Sequence, residues 1–194
     1  MIKIVLIRHG KTLGNVNKAY IGLTDELLCY DSIAEIYNKK YPFIDEVFSS
    51  PLKRCTQTAN LIYPHKIIQI KNNLRECNFG DFEGKNYEQL KENLDYKKWL
   101  NSNGTIAFPN GEDGYSFRKR SQKEFENIIN ESISKNFKQI AIVCHGGTIM
   151  AILDKFSYPN KKFYNWQVEN LGGFIFCYND KSKRAVNIKK LFCN

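Results

Sequence analysis

The chain has 194 residues, 42% of them hydrophobic and 25% charged, with a formal net charge of +9. That length buries a substantial core in a single domain spanning 1–194, and the composition excludes a disordered or fibrous chain. No stretch approaches the roughly eighteen apolar residues of a membrane span, so no membrane partner is expected.

Met1-Ile2-Lys3 runs directly into a strand-like segment, without a basic region or cleavage site. A secretory signal is therefore not expected, and a cytoplasmic location is. The positive charge favours anionic partners, but the lysines are dispersed. Only the tail "NDKSKRAVNIKK" is modestly clustered, and no zinc-finger, RNP or recognition-helix pattern accompanies it. A solvated basic surface is expected, not a nucleic-acid interface. The six cysteines, Cys29, Cys55, Cys77, Cys144, Cys177 and Cys193, form no C-x-x-C pair. They are expected to be free thiols, with Cys144 in the core.

In chain order, the first expected strand is 2–7, an apolar and β-branched run. It leads into Arg8-His9-Gly10-Lys11-Thr12, whose end resembles a nucleotide-binding phosphate loop. Such a loop needs a glycine at position 5, where Val5 stands inside the strand. Ser32-Ile33-Ala34-Glu35 has the form of a capping box opening a helix. Strand 46–49 follows, then Ser50-Pro51, a cap residue with proline at the first helical position. Strand 66–70 leads into 71–115, rich in Asn, Gly and acidic residues, which is expected to be an insertion covering one end of the sheet. Within it a helix is expected over 86–100, turning Tyr87, Leu90, Leu94 and Trp99 inward. A longer helix, 115–135, places Phe117, Ser121, Phe125, Ile128 and Ile133 on one face. Strand 139–144, a short helix after Gly147, and strands 172–178 and 184–191 complete the chain. Alternating strands and helices imply an α/β fold with a mostly parallel sheet.

Ligands of such folds bind beyond the carboxyl ends of the strands. His9 follows 2–7 and His145 follows 139–144, each preceding a glycine, whereas His65 falls in a Pro-containing turn. Neither His9 nor His145 has metal-ligand spacing or an adjoining carboxylate, and no G-x-S-x-G elbow is present. The chemistry that remains is phosphoryl transfer through a histidine. A neutral imidazole attacks phosphorus when its other nitrogen is held by an acceptor. Fixed cations, above all the planar fork of arginine, stabilise the phosphate oxygens, and a carboxylic acid protonates the leaving alkoxide. Arg54, in "SSPLKRCTQTA", and Glu76 or Glu83, in "LRECNFGDFEG", lie near the same sheet end.

Five segments now carry a family resemblance. Arg8-His9-Gly10-Lys11-Thr12 resembles the R-H-G-x-T signature of the histidine phosphatase superfamily, which includes the cofactor-dependent phosphoglycerate mutases. "SSPLKRCTQTA", "LRECNFGDFEG", "PNGEDGYSFRKR" and "VCHGGTI" are similar to that family's later motifs and occur in its order. The resemblance implies a phosphoglycerate mutase-like three-layer sandwich around a mostly parallel mixed sheet. It implies His9 as the phosphorylated nucleophile, with Arg8, Arg54 and His145 forming the phosphate pocket. Asn15, Gly22, Gly146, Lys11 and Glu112 would bind substrate. Glu76 would be the general acid and then the base, and Glu83 an anchor of its loop. No metal and no cofactor are implied.

Three departures bear on specificity. Lys11 replaces the family's common Glu or Gln, Gly14 stands where a bulky aromatic is frequent, and Asp113 and Ser116 alter the lid. Lys11 adds charge at the pocket rim, and the wall at Gly14 is expected to be more open. The function implied is hydrolysis of a small phosphorylated metabolite through a phosphohistidine. Short members with this spacing include α-ribazole-5′-phosphate phosphatases. The alternatives are a phosphoglycerate mutase and, in another class, a catalytically inactive phospho-ligand-binding module. The latter would be expected to lack His9, Glu76 or an arginine. Both a monomer and a homodimer are compatible with the sequence.

Overall fold

Strand β1 (Ile2–Arg8) is apolar almost throughout because both of its faces are covered. In the computed structural model, which describes residues 1–102 and 104–192, β1 pairs in parallel with β4 (Gln139–Cys144). On its other side it pairs antiparallel with β5 (Gly173–Asn179). Strand β2 (Glu46–Ser49) joins β4 to β3 (Ile68–Ile70), both in parallel, and β6 (Arg184–Lys190) runs antiparallel to β5. The order is β3-β2-β4-β1-β5-β6, the mixed, mainly parallel sheet expected.

Alternating side chains divide the core into two layers. Ile4, Leu6, Ile140 and Ile142 face Phe125 and Ile128 of α6 (Gly114–Ser134) and Ile149 and Ile152 of α7 (Gly146–Phe156). Val5, Ile7, Ala141 and Val143 face Cys55 and Ala59 of α3 (Lys53–Ile62). Helix α2 (Tyr30–Tyr37) packs outside α3 through Ile36 and its neighbours. Phe125 is fully buried between α7 and the sheet; truncating such a ring to alanine costs about 3–5 kcal/mol.

Several helix starts differ from expectation. Ser32 is inside α2, which Cys29 precedes, because the Ser32 hydroxyl is taken by the Lys11 amide at 2.7 Å. Helix α3 begins at Lys53 after Leu52, not at Pro51, since Ser50 turns inward to His145. The 86–100 helix is two helices, α4 (Tyr87–Leu90) and α5 (Leu94–Asn101), broken where Asn93 caps the second by accepting from the Tyr96 amide. The break resets the helical phase: Leu90 and Tyr96 are buried, while Tyr87 and Leu94 are exposed. In α6, Ser132 takes the inward position one turn after Ile128, and Ile133 points out. Asp113 caps α6 by accepting from the amides of Tyr115 and Ser116, which gives the unusual lid aspartate a structural role.

The segment after β3 builds its own small core. Cys77, Phe82, Leu90, Tyr96 and Phe108 pack with Phe117 of α6 and Ala151 of α7. This places residues 71–102 and 104–113 against the helices that lead away from the site end of the sheet. The five described cysteines are free, with Cys55, Cys77 and Cys144 buried; Cys193 lies outside the described residues. No helix among the described residues is long and apolar enough to cross a membrane.

Candidate active site

Register places the two histidines side by side. Arg8 is paired with Cys144 across β1 and β4, so the next residues, His9 and His145, leave neighbouring strands at the same end. The His9 amide donates to the Cys144 carbonyl at 3.0 Å, and the imidazole rings meet edge-on with centroids 5.1 Å apart. Both side chains are buried.

Two short bonds position His9. Its Nδ1 lies 2.7 Å from the Gly10 carbonyl, an acceptor only, so Nδ1 carries the proton and Nε2 keeps its lone pair. The Gly10 amide in turn donates to Thr58 Oγ1 at 3.0 Å. Burial, together with the charges of Arg54 and Arg8, holds the imidazole well below the usual histidine range, so it stays neutral. The same causes, with His9 added, depress His145.

Arg54 is fully buried, not a surface cation. Its Nη1 donates to the Thr24 carbonyl at 2.7 Å, its Nη2 to the Gly22 carbonyl at 2.8 Å, and its Nε to His145 Nδ1 at 3.3 Å. His145 Nε2 then reaches Ser50 Oγ at 2.8 Å. Both ring nitrogens of His145 are thus engaged within the protein, and contact with a phosphate requires one of these bonds to give way. Arg8 is held by a single bond, Nη1 to the Val168 carbonyl at 2.8 Å, and its buried Nε–H has no partner among the described residues. An anion is the natural complement of such a donor.

Glu76 closes the site from the lid side. Its Oε2 accepts from the Gly147 amide at the start of α7 at 2.9 Å, and Oε1 from the Cys77 amide at 3.0 Å. A Cβ at position 147 would lie 2.3 Å from Glu76 Oε1, so only glycine admits the carboxylate here. Burial pushes the Glu76 carboxyl above its ordinary range, against the pull of the two amides and the arginines. Glu83 has a different environment. Its Oε1 accepts from the amides of Gly22 and Thr24 at 2.8 and 2.9 Å, anchoring the loop whose carbonyls hold Arg54.

The remaining expected residues divide. Asn15 is at the site: Asn170 Nδ2 donates to Asn15 Oδ1 at 3.2 Å and to the His9 carbonyl at 3.0 Å. Gly146 lines the cavity beside Arg8, and Lys11 is exposed at its rim. Gly22 is a support, because Glu83 takes its N–H, Arg54 takes its C=O, and a Cβ would lie 2.0 Å from the Cys77 carbonyl. Glu112 is not among the cavity-lining residues; it forms a two-point ion pair with Arg120, Oε1 to Nε at 2.7 Å and Oε2 to Nη2 at 2.8 Å. The wall at Gly14 is not open. Ile21 fills it, and a Cβ there would lie 2.3 Å from Ile21 Cγ1.

Arg120, Ser50, Thr58 and Asn170 were not anticipated. Arg120 has the most partners, donating also to the carbonyls of Asn73, Arg75 and Glu76 at 2.8–2.9 Å. Arg8, Glu76, Gly146 and Gly147 are among the residues that line a cavity of about 1410 Å³. Among the described residues, no group of three His, Cys, Asp or Glu side chains is arranged to hold a metal ion.

A mixed α/β sheet with a neutral histidine beside two arginines and an elevated carboxyl, at the carboxyl end of its central strands, defines a phosphoryl-transfer type of site. The chain belongs to the histidine phosphatase superfamily (branch 1), whose family model matches residues 4–190. It is 28% identical to a broad-specificity phosphatase of Saccharomyces cerevisiae over 198 residues, covering 96% of this chain and 84% of that one. Among solved structures, the α-ribazole phosphatase of Shigella flexneri is 26% identical with a TM-score of 0.81, covering 95% of this chain and 93% of that one. A phosphoserine phosphatase of Entamoeba histolytica, solved with 3-phosphoglyceric acid, is 26% identical with a TM-score of 0.78, covering 96% and 94%.

Proposed function

We propose that the protein is a cytoplasmic phosphomonoesterase that works through a phosphohistidine on His9. The carrying observation is the 2.7 Å bond from His9 Nδ1 to the Gly10 carbonyl, which leaves Nε2 free to attack. Nε2 forms a bond to phosphorus as the bond to the leaving oxygen breaks, and the Glu76 carboxylic acid delivers its proton to that oxygen. Water then attacks the phosphohistidine while the Glu76 carboxylate takes a proton from it, which restores both groups. Arg8 and Arg54 supply fixed positive charge to the equatorial oxygens. No metal or cofactor takes part, so turnover is expected to survive EDTA; loss with rescue by zinc or magnesium would contradict this.

The names of the relatives support a small phosphorylated metabolite as substrate, with α-ribazole 5′-phosphate as the candidate. A screen of phosphorylated metabolites, with and without 2,3-bisphosphoglycerate, separates hydrolysis from mutase activity. The acid role is tested by leaving group. Glu76→Gln should slow alkyl phosphates about 10²–10⁴-fold, while p-nitrophenyl phosphate still gives a burst followed by slow turnover. Equal losses in burst rate for both kinds of ester would remove Glu76 as the acid.

A further inference from the structure

Part of the cavity wall is aromatic. Tyr20, Phe79, Trp99, Phe108, Phe163 and Tyr164 line it together with Arg8, Glu76 and Gly147. They come from separate elements: Tyr20 follows α1 (Leu13–Val16), Phe79 follows the Glu76 loop, Trp99 is on α5, and Phe163 and Tyr164 share the turn 163–166. Ring centroids lie 5.3 Å apart for Tyr20 and Phe79, 5.1 Å for Phe79 and Phe108, and 4.9 Å for Trp99 and Phe108.

The cluster has an inner and an outer layer. Phe82 and Tyr96 are sealed at 1% exposure in the core of the segment. Tyr20, Phe79, Trp99 and Phe163 pack on that core but remain only partly buried, and all four line the cavity. Apolar faces left open beside a reaction centre bury whatever the reacting phosphate is attached to. Lys18 and Arg118 line the cavity near this wall, and the Arg118 guanidinium is stacked on the Phe163 ring at 4.5 Å.

Building on the function proposed above, we infer that this wall is a leaving-group subsite for phosphomonoesters carrying a planar aromatic or heteroaromatic ring. Offset and edge-to-face contacts reward planar π-systems over saturated rings of equal size. A short carboxylate-bearing leaving group, such as that of phosphoserine or phosphoglycerate, leaves the rings unfilled.

The test uses two esters with matched alkoxide leaving groups, 2-phenylethyl phosphate and 2-cyclohexylethyl phosphate. Purified full-length protein should favour the phenyl ester about 3- to 10-fold in kcat/KM, and favour it over phosphoserine and 3-phosphoglycerate. Trp99→Leu should bring the phenyl-to-cyclohexyl ratio to within twofold. Tyr164→Ala should lower the ratio as well; its ring is half exposed, so this variant serves if Trp99→Leu does not fold. A wild-type ratio within twofold, faster turnover of the carboxylate esters, or a full ratio in both variants would overturn the subsite while leaving the phosphatase function standing. If no ester is turned over, the proposed reaction fails and calorimetry with 2-phenylethylphosphonate and 2-cyclohexylethylphosphonate decides the subsite. Preference for the phenyl compound supports it, and equal affinity overturns it.

Discussion

At the scale of single residues, Arg54 is fixed by the protein, whereas Arg8 keeps a buried donor without a partner among the described residues. Arg54 makes four bonds within the protein and is fully buried, so it is oriented before any ligand arrives. Removing one preorganised donor from developing charge costs about 2–4 kcal/mol of transition-state stabilisation, roughly a 30- to 1,000-fold loss. Arg54→Ala is expected to fall in that range in kcat/KM, and a change within twofold would mean that the guanidinium serves only the loop 21–24. The residues that could be found in the sequence were those whose chemistry is intrinsic to the side chain. His9 and His145 stood out because each follows an apolar strand and precedes glycine, and Arg54 and Glu76 because they sit in similar motifs. Ser50, Thr58 and Asn170 did not, because their partners are ring nitrogens and backbone groups more than forty positions away. Glu112 shows the same limit: its motif offers a carboxylate, but only the fold shows that Arg120 is its partner.

At the scale of elements, Arg120 on α6 ties the segment after β3 to Glu76, the proposed general acid. One guanidinium binds the Glu112 carboxylate and the carbonyls of Asn73, Arg75 and Glu76. Bonds to charged groups contribute about 1.5–3 kcal/mol, and displacement of a catalytic group by about 1 Å can lower rates about 10²-fold. Arg120→Gln is expected to lower the urea midpoint by an amount equivalent to 1.5–3 kcal/mol and to reduce kcat on alkyl phosphates about 10- to 100-fold. Arg120→Lys should not rescue the rate, since lysine lacks the planar fork that meets several acceptors at once. Full activity in the lysine variant would show that charge alone suffices. Strand existence was legible to within two residues because buried strands leave continuous apolar runs. Helix starts were not, because tertiary bonds capture the capping side chains: Ser32 goes to Lys11 and Ser50 to His145.

At the scale of the whole molecule, strand order and register were invisible in the sequence, yet they bring His9 and His145 together through the Arg8–Cys144 pairing. That placement has a thermodynamic consequence. Both histidines are held neutral in the fold by burial beside Arg54, so below a pH of about 6.5 the unfolded chain binds protons that the native state refuses. Their contribution to stability is complete above the unfolded value and is lost as the pH falls toward the depressed native values. Each contributes a slope approaching 1.4 kcal/mol per pH unit in that window. Elevated Glu76 acts in the opposite direction, its buried charge lowering stability as the pH rises through its native value. Urea midpoints measured from pH 7 to pH 5 should fall steeply, and His9→Asn should make the fall shallower by about one proton's slope. An unchanged slope would mean that His9 titrates freely in the native state.

Phosphate is proposed to pass through His9, and the most direct test is to trap it there. Rapid quenching of the protein with ³²P-labelled substrate should give an acid-labile, alkali-stable label, borne on a peptide containing His9 and absent from His9→Ala. A label that persists in His9→Ala, or turnover by that variant at the wild-type rate, would contradict the account.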